Sequence, residues 1–289
     1  MLKNFNKVSF FNKDLLKTVG SNSVIVIGVF SGILAFFDLN SFSKIVIFIV
    51  MVIVILLTYI IIFVRSNIMK QVKLFIDDSE IDVKEGDIFS NEVYDNENVI
   101  KVFAFNEYFD TLVDNNIISR TSLNGQFIIN KVNAISNLDK RIVEDKQLSN
   151  HIIEKNTKRK YGKKTKYELG SIFKYSETVF LTALTHFNDS NEAYLSIQDY
   201  VRFLINFWDQ IDSLYANRTV VITLFGSGIT RLEHKMFSNT QILQIILWTF
   251  YIRRIKFKQP AKFVILLDKS TNRNINYYKI KKGFHELQK

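Results

Sequence analysis

Residues 220–232 read VVITLFGSGITRL, and the rest of the chain is organised around them. Val220–Phe225 is apolar except for Thr223, the pattern of a strand buried on both faces rather than one alternating between core and water. Gly226, Ser227 and Gly228 follow. Glycine accepts positive φ and lets backbone N–H groups come close to a ligand. A strand ending in such a loop builds a nest of N–H donors, whose natural guest is an anion such as a phosphate. Ile229 and Thr230 continue the loop, and Arg231 is placed to add a charge-assisted contact to the same guest. The same residues also spell a tight turn without a ligand, and a lone Gly-Ser-Gly does not choose between the two.

The flanking sequence supplies the context. Gln71–Ile76, Ile81–Ser90 and Val99–Asn106 read as strands, the second ending in a Gly86-Asp87 turn. Apolar residues at three- and four-residue spacing predict a helix over Asn137–Asn156. Tyr167–Lys174 and Thr178–His186 read as two more strands. Ser196 opens a helix, with Asp199 three positions on in a capping-box arrangement. Ser238 caps another helix, Phe263–Leu267 is a further buried strand, and Asn276–Lys281 is read as a last strand at the edge. Apolar strands alternating with amphipathic helices predict an α/β sandwich with helices on both faces of a mixed sheet. Ligands in such sheets bind beyond the carboxyl ends of the strands. Gly86-Asp87, Asn106 and Gly226-Ser227-Gly228 all fall there.

Composition narrows the chemistry. The 289 residues contain no cysteine, which excludes disulfides, catalytic thiols and cysteine-ligated zinc. His151, His186, His234 and His285 lack metal-ligand spacing, so no metal is expected. The formal charge of +10 invites a nucleic-acid or membrane-surface reading. Seven basic residues crowd Lys155–Lys166, with Tyr161 the only aromatic among them. That composition suits a solvated loop or contact with anionic headgroups better than nucleic acid, which is not expected as a partner.

The amino-terminal region is of another kind. A basic tail, residues 1–20, precedes an apolar run at 24–39 and a second at 45–64, IVIFIVMVIVILLTYIIIFV, without a single charge. Twenty helical residues span ~30 Å, the thickness of a bilayer's hydrocarbon core. Residues 21–66 are therefore read as a two-helix transmembrane hairpin. Phe37, Asp38 and Leu39 do not form the small-residue site of a cleaved signal peptide. Lysines lie before the first run, and Arg65, Lys70 and Lys73 lie after the second, so both termini are expected in the cytoplasm. Gly28 and Gly32, four apart, would permit close helix approach and a homo-oligomer. Residues 71–289 form the soluble part.

The order of these elements resembles that of macro domains. GDIF at 86–89 is similar to the macro-domain element whose aspartate binds the adenine of ADP-ribose, which gives Asp87 that role and Ile88 the backbone position beside it. FAFN at 103–106 resembles the strand whose asparagine sits near the distal ribose, here Asn106. FGSGITR resembles the phosphate-binding loop, with Gly226, Ser227, Gly228 and Ile229 around the diphosphate. The resemblance implies a three-layer α/β/α sandwich over residues 71–289. The stretch FNEYFDTLVDNNIISRTSLNGQFI is similar to a divergent macro branch in antiphage systems of the Thoeris type. That resemblance implies an ADP-ribose-derived signal, for this branch a histidine adduct, made from NAD by a partner TIR-domain protein. It also implies an effector that assembles and damages the bilayer in an abortive response.

One departure bears on activity. Hydrolytic macro domains carry a glycine-rich run after the asparagine. This chain has Glu107-Tyr108-Phe109-Asp110-Thr111, which favours a reader without catalytic residues or cofactor over an ADP-ribosyl hydrolase. Glu107 and Asp110 are expected to contact the non-ADP part of the ligand, where a cationic or imidazole group would suit two carboxylates, or to cap the next helix. Glu107–Ile129 is expected to close over the site. A hydrolase, or an adaptor whose cleft has lost its ligand, are the rival readings.

Overall fold

Buried aliphatic and aromatic residues build the sheet. The computed structural model describes residues 7–37, 39–76, 78–90, 96–155, 158–188, 190–228, 231–232, 236–253 and 261–284. The chain divides into two units, residues 1–70 with 273–286 and residues 71–272 with 287–289. The described strands are β1 (Val72–Ile76), β2 (Ser79–Glu85), β3 (Val99–Asn106), β4 (Ile152–Lys155), β5 (Thr165–Tyr167), β6 (Ile172–Lys174), β7 (Val179–Phe187), β8 (Ala193–Leu195), β9 (Thr219–Thr223), β10 (Arg231–Leu232) and β11 (Lys262–Leu267). The helices are α1 (Lys13–Phe36), α2 (Ser41–Ile68), α3 (Leu123–Lys131), α4 (Ile135–Glu144), α5 (Lys146–Ser149), α6 (Ile197–Leu214), α7 (Asn239–Arg253), α8 (Lys269–Asn274) and α9 (Tyr277–Gly283).

In the second unit the sheet runs β1-β2-β11-β9-β3-β7-β8-β10, with β6 also paired antiparallel to β7. The strands β2, β11, β9, β3 and β7 are mutually parallel, so their carboxyl ends share one edge. Side chains alternate along a strand, and β11 shows where they go. Phe263 meets Trp208 of α6 at 5.1 Å and Phe250 of α7 at 4.8 Å between ring centres. Val264 and Leu266 instead belong to a core with Phe127 and Ile128 of α3, Leu138 and Ile142 of α4 and Leu148 of α5. Helices thus cover both faces of the mixed sheet, the three-layer α/β/α sandwich.

Several predicted elements are redrawn by local chemistry. The second strand stops at Glu85, and residues 86–90 leave the sheet. The helix expected over Asn137–Asn156 ends at Glu144, because Asp145 caps a new turn by accepting from the Leu148 N–H at 2.7 Å. Ile152–Lys155 then pairs antiparallel with β5. Gly170, at φ +90°, breaks the stretch Tyr167–Lys174 into β5 and β6, which lie in different sheets. The edge strand expected at Asn276–Lys281 is the helix α9. Asn276 caps it by accepting from the Lys279 N–H at 2.9 Å, and Tyr277, Ile280 and Phe284 recur at helical spacing in its buried face.

In the first unit, Asn12 caps α1 and Asn40 caps α2. Both helices are long and apolar enough to cross a membrane, and Phe48, Ile49, Leu56, Leu57, Ile60 and Ile61 of α2 are exposed. Asn67 ties the end of α2 to the segment before α1, accepting from the Val8 N–H at 3.1 Å and donating to the Val8 carbonyl at 3.2 Å. Residues 273–286 group here because Asn276 donates to the Lys7 carbonyl at 2.6 Å and the Tyr278 hydroxyl lies 3.0 Å from that of Thr18.

Candidate functional site

A cavity of about 680 Å³ opens at the carboxyl edge of the parallel strands. Its floor is built from strand ends, with Glu85 from β2, Asn106 from β3, Thr185 from β7, Thr223 from β9 and Leu267 from β11 all lining it. Three sequence signals meet here, namely Gly86-Asp87-Ile88, Asn106 and Gly226-Ser227-Gly228.

Each is held by local bonds. The Gly86 N–H donates to the Leu267 carbonyl at 3.0 Å, pinning the turn to the neighbouring strand. Asp87 is exposed, and one carboxylate oxygen accepts from the Phe89 N–H at 2.9 Å, an Asx turn that aims the loop. Gly226 sits at φ +83°, which an L side chain tolerates poorly. The Leu224 carbonyl accepts from both the N–H and the hydroxyl of Ser227, at 3.2 and 2.6 Å, closing the turn. The Ser227 hydroxyl's one hydrogen is therefore used within the loop and is not offered to an anion. Among the described lining residues Lys269 is the one cation, against Glu85, Asp87 and Asp268. An anion bound there relies on backbone N–H groups more than on side-chain charge.

Over residues 81–268 the chain matches the family model described as Thoeris protein ThsA, Macro domain. The chain belongs to the ThsA macro-domain family. It is 41% identical over 254 residues to the Thoeris protein ThsA of Bacillus amyloliquefaciens (strain Y2), covering 87% of this chain and 83% of that one. A solved Oceanobacillus iheyensis macrodomain with ADP covers 75% of this chain and 97% of its own at 14% identity, with a TM-score of 0.47.

The structure corrects two of the predicted site residues. Glu107 and Asp110 do not line the cleft, because both are buried in ion pairs within the protein. Glu107 accepts from His186 Nδ1 at 2.5 Å and from the Phe187 N–H at 3.2 Å, and lies 3.3 Å from Lys166 Nζ. Burial depresses the Lys166 pKa, but the charge and hydrogen bond of Glu107, joined by Tyr108 and Glu154, together hold it above the ordinary lysine value. Asp110 is gripped by Arg159 at 3.0 and 2.6 Å. The imidazole and cation expected from a ligand are thus supplied by the chain itself. Phe109 between them, at φ +48° and fully buried, leaves Glu107–Thr111 packed in the core.

Ile229 and Thr230 lie outside the described residues. Arg231 is placed by its backbone in β10, paired with Tyr194 of β8, and its side chain is likewise outside them. The cleft also uses residues that pattern reading passed over. Ile117, Ile118, Ser119 and Thr121–Asn124 form one wall, and Asp268, Lys269 and Thr271 another. The available signal for the first wall was Ser122, which caps α3 by accepting from the Gly125 N–H at 3.2 Å. For the second it was Asp268, whose Oδ1 accepts from the Ser270 and Thr271 N–H groups at 2.8 and 3.1 Å.

Proposed function

We propose that this ThsA-family chain is a membrane-anchored receptor whose macro domain binds an ADP-ribose-derived signal and then assembles to disrupt the bilayer. The observation that carries this reading is the convergence of Asp87, Asn106 and the Gly226–Gly228 loop on one open cleft at the carboxyl edge of a parallel sheet. An adenine on Asp87, a diphosphate on the glycine loop and a ribose toward Asn106 use each for the chemistry it offers. The open cavity lined by Gly226, Ser227 and Gly228 supports a binding role over a ligand-free adaptor. The buried, glycine-free run Glu107–Thr111 supports a reader over a hydrolase, since no small residues there make room for water. A TIR-domain partner supplies the signal, and α1 and α2 supply the anchor, with both termini cytoplasmic.

Silence without signal demands a rare active state. A ligand that moves 1% active to 99% active must favour that state by ~10⁴-fold, about 5.5 kcal/mol. Of the stretch 107–129 expected to close over the site, 107–111 is packed in the core, and we assign the closing that supplies this difference to the lining residues 117–124.

The test is calorimetric titration of the full chain in detergent micelles with ADP-ribose and its amino-acid adducts. Products are assayed in the same samples, and ligand-dependent dye release is followed from vesicles holding the chain. Tight binding without turnover, together with dye release, supports the receptor. Turnover makes it a hydrolase, and absence of binding overturns the reading.

A further inference from the structure

In the basic stretch 155–166, Lys155, Lys158, Lys160 and Lys164 are exposed, as its composition suggests, but Arg159, Lys163 and Lys166 turn inward. Lys163 reaches Asp139 at 2.6 Å and Lys166 reaches Glu107 at 3.3 Å. The Arg159 side chain is 5% exposed and Asp110 is 1% exposed. The guanidinium carbon lies 3.9 Å from the Tyr108 ring centre, and the same group donates to Asn191 Oδ1 at 3.1 Å and to the Lys163 carbonyl at 2.7 Å. The loop is shaped to this pair. Gly162 sits at φ +81°, and a Cβ there would fall 2.6 Å from both Arg159 Nη1 and Asp110 Oδ1.

Asp110 hands the constraint on to the cleft. Its Oδ2 accepts from Asn106 Nδ2 at 3.0 Å, and its Oδ1 accepts from the Lys163 N–H at 2.7 Å. Asn106 Oδ1 is filled by the N–H groups of Tyr108 and Asp110, at 3.0 and 3.2 Å. A carboxylate only accepts and a backbone N–H only donates, so the carboxamide has one permitted orientation. One amide N–H goes to Asp110. Asn106 itself is buried and lines the cleft.

We propose that Arg159 is a positioning residue for ligand recognition: by holding Asp110, it locks the Asn106 carboxamide as a hydrogen-bond donor that selects a ligand carrying an acceptor oxygen, such as a sugar hydroxyl, at that wall. The inference rests on the receptor reading above. Without the guanidinium, Asp110 is a buried carboxylate lacking its cation, and the geometry it enforces on Asn106 relaxes.

ADP-ribose and ADP share the adenosine diphosphate and differ in the distal ribose. Their two affinities for the full chain in detergent micelles therefore report on Asn106 separately from the rest of the cleft. In Arg159→Gln and in Asn106→Ala, ADP-ribose affinity falls roughly tenfold while ADP affinity stays within about twofold. Arg159→Lys keeps the charge without the fork and lies between them and the wild type. A merely structural arginine would lower thermal stability, or both affinities together, and leave their ratio alone. A wild-type ratio in Arg159→Gln overturns the proposal while leaving the receptor reading intact. Failure of the wild type to prefer ADP-ribose overturns both. Should the glutamine variant bind neither nucleotide, the ratio in Arg159→Lys decides, a wild-type value again overturning the proposal.

Discussion

The buried hydroxyl of Tyr200 donates to the Phe225 carbonyl at 2.7 Å, so α6 holds the end of β9 where the glycine loop begins. Burial pushes the Tyr200 phenol well above its ordinary pKa, and it remains a donor throughout the physiological range. Tyr200→Phe removes that donor and leaves a buried carbonyl without it, at about 1–3 kcal/mol. Thermal unfolding is expected to shift down by several degrees, with weaker ligand binding because the loop loses its support. An unchanged midpoint would show that the bond carries no weight.

The two glycines of the loop are expected to respond differently. Gly226 lies at φ +83° with the Tyr200 ring 3.4 Å from where a Cβ would stand, so Gly226→Ala meets backbone strain of about 1–2 kcal/mol more than collision. Gly228 has nothing within 4 Å of that position. Gly228→Ala should leave the melting temperature within error, whereas Gly226→Ala lowers both it and ligand affinity. Equal effects on stability would refute the assignment.

A second pair of glycines contrasts a rigid neighbour with a flexible one. A Cβ on Gly125 would stand 2.1 Å from the Ser119 carbonyl oxygen, a backbone atom. On Gly86 it would stand 2.8 Å from the tip of the Leu266 side chain. Gly86→Ala is expected to cost under about 1 kcal/mol, because Leu266 can change rotamer. Gly125→Ala must displace the wall at residues 117–124, costing about 1–3 kcal/mol and increasing hydrogen exchange in that wall. Exchange identical to wild type would exclude the displacement.

Asp268 gives the cleft an acid-sensitive edge. Burial alone would raise its pKa, but the hydrogen bonds from Ser270 and Thr271 outweigh burial and hold it below the usual aspartate value. A depressed folded pKa contributes stability that is present above the unfolded value, about 3.9, and lost as pH falls through the folded one. Asp268→Asn should therefore lower the melting temperature at pH 6, with the gap to wild type narrowing progressively below about pH 4. A gap independent of pH would rule out the ionised carboxylate as its source.

Legibility in the sequence follows the range of the interaction. Val220–Phe225 reads as a doubly buried strand and Gly226 as a conformational exception, because apolar periodicity and φ preference are written into neighbouring residues. Ser196 and Asp199 could be paired on sight, and their bonds at 2.6 and 3.0 Å follow from a spacing of three. Asp110 and Glu107 could not be assigned this way. Their partners Arg159 and His186 lie 49 and 79 residues further along the chain. An acid beside a predicted ligand site reads as a ligand contact until its counter-ion is seen. In the basic run 155–166 the exposed lysines are as expected, but nothing local shows that Arg159 turns inward to Asp110.

By itself the sequence determined the alternation of strands and helices, the two long apolar helices and the glycine loop at a strand's carboxyl end, each encoded within a few residues. The tertiary structure alone decided that Glu107 and Asp110 stay out of the cleft that Asp87 lines, and that residues 117–124 wall it. A buried charge is settled by whichever opposite charge the fold brings against it, and no local pattern carries that pairing.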